Sequence, residues 1–214
     1  WKDFELLDAY DGYKLEKCKN VKLLRPDPQV VWKNKKVGKE QVDAKYFRSS
    51  KGGGEWKFYK KLPEEWEIEY RDLKFTVRPT GFKHTGLFPE QATNWDYVIN
   101  KIKTSNIEDF RVLNLFAYTG CATMAASSAG ASEVVHVDSS KGMIDWAKEN
   151  MRLSHLENNT IRFIQDRKVA GNPKSSGLLR EKARIKECEE YCMYYLSVRE
   201  TAEKWGINIS LVRR

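Results

Sequence analysis

Three short apolar runs separated by two helix-length segments fill residues 111–166, and this alternation limits the fold more than any other feature of the chain. Arg111 to Phe116 reads as a strand, Thr123 to Ala129 as an Ala/Ser-rich helix ended by Gly130, and Glu133 to Val137 as a second strand ending at Asp138. Lys141 to Leu153 places Met143, Ile144, Ala147 and Met151 on one helical stripe, and Thr160 to Ile164 is a third strand before Asp166. Each helix has to bury its stripe against the sheet, so the order β-α-β-α-β predicts a parallel, doubly wound α/β arrangement with right-handed crossovers.

Upstream, the texture is that of β-structure. Trp66, Ile68 and Tyr70 alternate with polar residues, and after Arg71-Asp72 so do Leu73, Phe75 and Val77, which predicts a hairpin. The first 65 residues, with turn formers at Arg25-Pro26-Asp27-Pro28 and Ser49 to Gly54, read as short strands joined by loops. After Pro89, the spacing of Ala92, Trp95, Val98, Ile99 and Ile102 predicts a helix. The expected division is a β-rich region over 1–65, a hairpin and half-sheet over 66–166, and a basic linker and helical tail over 167–214.

With 41% hydrophobic and 12% aromatic residues the chain has the material for a core, unlike a disordered sequence. No run approaches the roughly 18 apolar residues of a membrane span, and the first residues lack the layout of a signal peptide, so a cytoplasmic protein without membrane contact is expected. Cys18, Cys121, Cys188 and Cys192 form no CxxC pair, and His84, His136 and His155 stand at no zinc spacing, so reduced thiols and no metal are expected. A first residue Trp1 in place of Met implies a missing native start. Thirty-eight basic against 30 acidic residues give +8, which suits a polyanionic partner and equally suits simple solubility.

The chemistry-bearing segment is Leu113-Asn114-Leu115-Phe116-Ala117-Tyr118-Thr119-Gly120, a strand running into a tight loop and a helix. Ligands of doubly wound sheets bind beyond the carboxyl ends of the strands. Gly120 either lets the backbone approach a ligand or packs helix against strand. Asp138, 18 residues on, stands near the spacing at which a carboxylate takes both hydroxyls of a ribose, or else it caps the next helix. A dinucleotide loop would read G-x-G-x-x-G to cradle a pyrophosphate, whereas Ala117, Tyr118 and Thr119 leave one glycine. A cofactor with adenosine and no phosphate, such as S-adenosylmethionine, fits better.

The segment Thr80-Gly81-Phe82-Lys83-His84-Thr85-Gly86-Leu87-Phe88-Pro89-Glu90-Gln91, with Leu113 to Gly120, Val135 to Asp138 and Lys141-Gly142-Met143, resembles the class I S-adenosylmethionine-dependent methyltransferases related to the large-subunit ribosomal RNA cytosine-C5 enzymes. The resemblance covers residues 1–166 and implies a partial Rossmann-like sheet and methyl transfer to a base of RNA, of the ribosomal RNA processing kind. It implies that Gly86, Phe88 and Gln91 line the cofactor pocket, and that Asn114, Phe116, Ala117, Tyr118 and Gly120 sit at the amino-acid portion. It places Asp138 at the ribose and Asp166 near the adenine. The chain departs from this pattern in having no Asp/Asn-Pro-Pro segment to position the acceptor. No catalytic residue is therefore assigned, and the piece is expected to be truncated and inactive. Cys121 as a nucleophile has no base that sequence places near it, and His84 reads as a structural hydrogen-bonder before it reads as a base.

Residues 194–207 resemble the opening of an excisionase- or MerR-type helix-turn-helix, preceded by a linker over 167–178 and a charged helix from Leu179 to Tyr191. The alternative function is thus a non-catalytic DNA-binding or interaction protein acting through this tail, with weak DNA binding expected of it. In a 3-2-1-4-5 sheet the strand from Arg111 needs a fourth-strand neighbour; either the apolar run Tyr191 to Leu196 covers that edge, or the protein self-associates through it.

Overall fold

The computed structural model describes residues 1–33, 42–50 and 52–165, together with the backbone of 191–193. The chain divides into two compact units, Trp1–Thr93 and Asn94–Arg214.

The first unit is built from hairpins. Strands β1 (Phe4–Tyr10), β2 (Tyr13–Cys18), β3 (Val21–Pro26), β4 (Ala44–Arg48) and β5 (Gly54–Phe58) form one sheet in sequence order. All pairs are antiparallel except β3 and β4, which run parallel. Asp11 and Gly12, at φ 48° and 77°, make the two-residue turn with both central residues left-handed, whose twist matches that of the flanking strands. One face of this sheet buries Cys18, Val21, Leu23 and Ala44 against Phe4, Trp56, Leu62 and Trp66. The predicted hairpin is present as β6 (Trp66–Tyr70) and β7 (Leu73–Val77), in the register Tyr70↔Leu73. Its inward residues Ile68, Leu73, Phe75 and Val77 are fully buried, as the period of two requires. Trp1 ties the chain start to it, donating Nε1–H to the Glu69 carbonyl at 2.6 Å.

The second unit carries the parallel sheet. Helix α1 (Ala92–Lys103) leads into β8 (Arg111–Leu115), α2 (Cys121–Ser128), β9 (Glu133–Asp138), α3 (Lys141–Leu153) and β10 (Ile161–Gln165). Val98 and Ile102 of α1 and Ala126 of α2 pack on Phe110, Val112 and Val134, so both helices cover the same face of the sheet. The opposite row, Leu113, Val135 and Val137, packs with Leu115 and Ile164. The three strands and the three helices all lie where the periodicity predicts them. Helix α2 starts two residues earlier than predicted, because Gly120 in the left-handed region at φ 83° turns the chain straight into it. On α3, Ile144 and Ala147 of the expected stripe are buried, but Trp146 and Asn150 replace Met143 and Met151 as its other fully buried members.

The sheet order is β10-β9-β8-β11, with β11 formed by Tyr191–Met193. It runs parallel to β8, pairing Tyr191 with Arg111, Cys192 with Val112 and Met193 with Leu113. This corrects two expectations. Tyr191 belongs to a strand, not to the end of a charged helix. Self-association through an open β8 edge loses its premise over these three residues, since a segment of the same chain satisfies the backbone there. The linker, the remainder of the predicted charged helix and the helix-turn-helix-like segment lie outside the described residues.

Candidate cofactor site

The loop from Phe116 to Gly120 leaves the carboxyl end of β8 in an unusual backbone conformation. Phe116, Tyr118 and Gly120 have φ of 54°, 52° and 83°, so every second residue is left-handed. For Phe116 and Tyr118 this costs on the order of 1–3 kcal/mol each, which the surroundings have to offset. They do so from both flanking elements. The Ala117 amide donates to the Val137 carbonyl at 3.0 Å, and the Tyr118 amide to Asp138 Oδ2 at 2.9 Å, both on β9. From α3, the buried Asn150 side chain donates to the Thr119 carbonyl at 2.8 Å.

Asp138 is half-buried at the end of β9, and its other oxygen, Oδ1, accepts the Ser140 amide at 2.8 Å. Ser140 itself is the N-cap of α3, its hydroxyl accepting from the Met143 amide at 3.4 Å. Asp138 therefore ties the loop to the turn before α3 and does not cap the helix. A carboxylate offers about four lone-pair sites, so with one amide on each oxygen it keeps capacity for two further donors. That capacity fits a ribose diol.

Gly120 has a reason of its own. A Cβ at this position would stand 3.0 Å from Ala147 Cβ, 3.2 Å from Met124 Cε and 3.4 Å from His136 Cε1. Its requirement is thus met by the positive φ and by the close fit of α3 against α2.

Beneath the loop lies a buried polar chain. Asn114 Nδ2 donates to Thr123 Oγ1 at 2.9 Å, and the same hydroxyl is 3.0 Å from His136 Nδ1. His136 is fully buried and its Nε2 has no hydrogen-bond partner; burial pulls its pKa down to about 4, against a smaller upward pull from Asp138. It is neutral at physiological pH. Burial likewise pushes the Cys121 thiol up to about 12, against a downward pull from the Thr119 hydroxyl, which disfavours the thiolate a nucleophile would need.

Gly86, Phe88 and Gln91 belong to the first unit. Gly86 has φ 114°, a conformation that favours glycine, and Phe88 precedes a single 3-10 turn, Pro89–Gln91, whose Gln91 amide donates to the Phe88 carbonyl at 3.0 Å. The Phe88 ring lies 4.8 Å from that of His84, which burial, with Arg25 and Lys83 nearby, brings down to about 4. Of the other predicted residues, Asn114, Phe116, Ala117, Tyr118, Gly120 and Asp138 are brought together around one loop, and Asp166 lies outside the described residues. Thr119 lies within the expected loop, whereas Thr123, His136 and Asn150 are not among the residues that the sequence assigns to the site. Their one sequence signal is a polar residue interrupting an apolar pattern, His136 between Val135 and Val137, and Asn150 one turn after Ala147.

The sequence pattern of a family described as S-adenosylmethionine-dependent methyltransferase matches residues 25–183. Two curated relatives, both ribosomal RNA large subunit methyltransferase K/L, are 35% identical over 126 residues in Shewanella frigidimarina and 32% over 130 in Pseudoalteromonas translucida. These matches take in 59% and 61% of this chain but only 17% and 18% of the relatives. Among solved structures, an S-adenosylmethionine-dependent methyltransferase from Agrobacterium tumefaciens superposes with a TM-score of 0.70 at 40% identity, over 76% of this chain and 52% of the other. A methyltransferase-like protein from Streptococcus mutans shares the fold with a TM-score of 0.62 at 18% identity, over 86% of this chain and 49% of that one.

Proposed function

We propose, from the premise that this chain belongs to the S-adenosylmethionine-dependent methyltransferase family, that its β8 loop and Asp138 hold that cofactor and that the methyl acceptor is a base of RNA, in the first place ribosomal RNA. The observation that carries the reading is the Asp138 carboxylate. It is fixed by the Tyr118 and Ser140 amides at the carboxyl end of β9 with lone pairs to spare, beside a loop without a pyrophosphate cradle. The RNA part follows from the curated relatives, which are named as ribosomal RNA methyltransferases and of which the chain spans under a fifth. The weak DNA-binding alternative draws no support from these relatives.

Asp138 accepts the ribose hydroxyls, and Phe116, Ala117, Tyr118 and Gly120, with Asn114 behind them, shape the contact for the amino-acid portion. Gly86, Phe88 and Gln91 line the pocket, and Asp166 lies near the adenine. The cofactor, when bound, supplies a methyl group on a cationic sulfonium. What this chain contributes is orientation, and holding two reactants in line removes up to about 7–11 kcal/mol of bimolecular entropy cost in well-ordered systems. Calorimetry with S-adenosylhomocysteine tests the reading. Asp138→Ala is expected to weaken binding by about 1.5–3 kcal/mol, the value of hydrogen bonds to a charged group. No binding to the folded wild-type chain would overturn it.

A further inference from the structure

The five-stranded sheet has a second face, and it is built against its own electrostatics. Register places Lys45 of β4 directly opposite Lys57 of β5, and Lys17 of β2 opposite Lys22 of β3, on that same face. Like charges directly opposite destabilise a sheet. Neither Lys45 nor Lys57 has a carboxylate partner among the described residues. Each ammonium instead rests on aromatic rings: Lys45 Nζ lies 4.3 Å from the Tyr13 centroid and 4.8 Å from that of Phe47, and Lys57 Nζ 5.4 Å from that of Tyr59. The rings are not buried beneath them, since Phe47 is 37% and Tyr59 49% exposed. Four acids share the surface, two of them on β1, where Glu5 stands opposite Lys17 and Asp8 opposite Leu15. Glu55 stands opposite Phe47, and Asp43 is held at 2.7 Å by Lys60.

We propose that this face is a binding surface for single-stranded RNA, with Lys45 and Lys57 taking backbone phosphates and Phe47 and Tyr59 stacking unpaired bases. The choice of RNA rests on the methyltransferase reading above; the surface itself rests on the charge pairing and the rings. A polyanion removes the repulsion between the facing lysines. Exposed flat rings between cations add what a phosphate surface alone would not use, a platform for any base freed from a helix. A duplex keeps its bases stacked on one another, so it gains only the electrostatic part. An anionic membrane would use the lysines and leave the stacking geometry without a role.

The test uses the whole 214-residue chain and a fluorescein-labelled oligouridylate of roughly twelve nucleotides, read by anisotropy at several salt concentrations. Lys45→Gln/Lys57→Gln is expected to bind at least about tenfold more weakly, with the salt slope smaller by about 1.4, two phosphates at roughly 0.7 each. Phe47→Ala is expected to lose at least about fivefold while keeping the full salt slope. The melting temperature of the double lysine variant should be unchanged or raised, because a like-charge contact is removed. Variants that bind as wild type does, or a hairpin duplex or phosphatidylserine vesicles bound as tightly as the single strand, would overturn the proposal. S-adenosylhomocysteine binding measured on the same samples should be the same in all of them. Its loss from wild type with oligonucleotide binding intact would strike the cofactor site alone.

Discussion

Asn150, fully buried on α3, donates its side-chain amide to the carbonyl of Thr119 at 2.8 Å, so a helix 31 residues downstream fixes the middle of the β8 loop. Two left-handed non-glycine residues, Phe116 and Tyr118, precede that carbonyl, and a loop under such strain keeps its shape only while its anchors hold. Asn150→Ala is expected to cost about 1–3 kcal/mol in urea unfolding, the range for removing one partner of a buried hydrogen bond. The same variant should bind S-adenosylhomocysteine more weakly even at temperatures where it is fully folded. A stability loss with unchanged affinity would separate the anchor from the site.

Gly120→Ala meets two independent penalties. An alanine at φ 83° costs roughly 1–2 kcal/mol, and its methyl would press on Ala147 at 3.0 Å. Adding Ala147→Gly should recover the steric part and leave the conformational part. Denaturant midpoints of the two single variants and the double variant measure the split, and full recovery in the double variant would show that backbone conformation is not limiting.

His136 makes the fold acid-sensitive, with a definite sign. Its pKa falls from 6.5 to about 4 on folding, so the unfolded chain takes up a proton below about 6.5 that the folded chain does not take up until about 4. Stability from this residue is complete above pH 6.5 and falls across that window, by about 2 kcal/mol between pH 7 and pH 5. His84, also lowered to about 4, acts in the same direction, reduced by its greater contact with solvent. His136→Asn, which can keep the hydrogen bond to Thr123, should flatten the pH dependence of urea unfolding. An equally steep profile would exclude His136 as its source.

Methyl transfer by the 214-residue chain is expected to be absent or very slow, because no Asp/Asn-Pro-Pro segment occurs in its sequence. Incorporation of tritiated methyl groups into unmodified ribosomal RNA is the measurement. Steady turnover would mean that other residues position the acceptor.

Strand β11 pairs with the β8 edge over Tyr191 to Met193, so Cys192→Pro, which places a proline in the middle of that short strand, should loosen the pairing. Faster hydrogen exchange at Val112 and Leu113 is expected, together with a shift toward dimers or larger species in light scattering. A variant that stays monomeric with slow exchange would mean that β11 does not carry the protection of this edge.

What the sequence determined by itself is local. The periods of two and 3.6 placed β6, β7, β8, β9, β10 and all three helices, because each pattern reflects a face that must be buried whatever its neighbour is. It also picked out the β8 loop and Asp138, since a strand end, a single glycine and an acid at a set spacing are legible along the chain. Tertiary structure decided the rest, because it depends on which residues far apart in sequence meet. Met143 gave way to Trp146 and Asn150 on α3 because the helix faces a loop carbonyl, and a polar residue is buried wherever a partner waits for it. Gly120 proved to be required by Ala147, His136 by Thr123, and the vacant place beside β8 was taken by a segment nearly 80 residues away. A strand edge accepts any backbone of suitable length, so side-chain patterns carry little information about which segment will fill it.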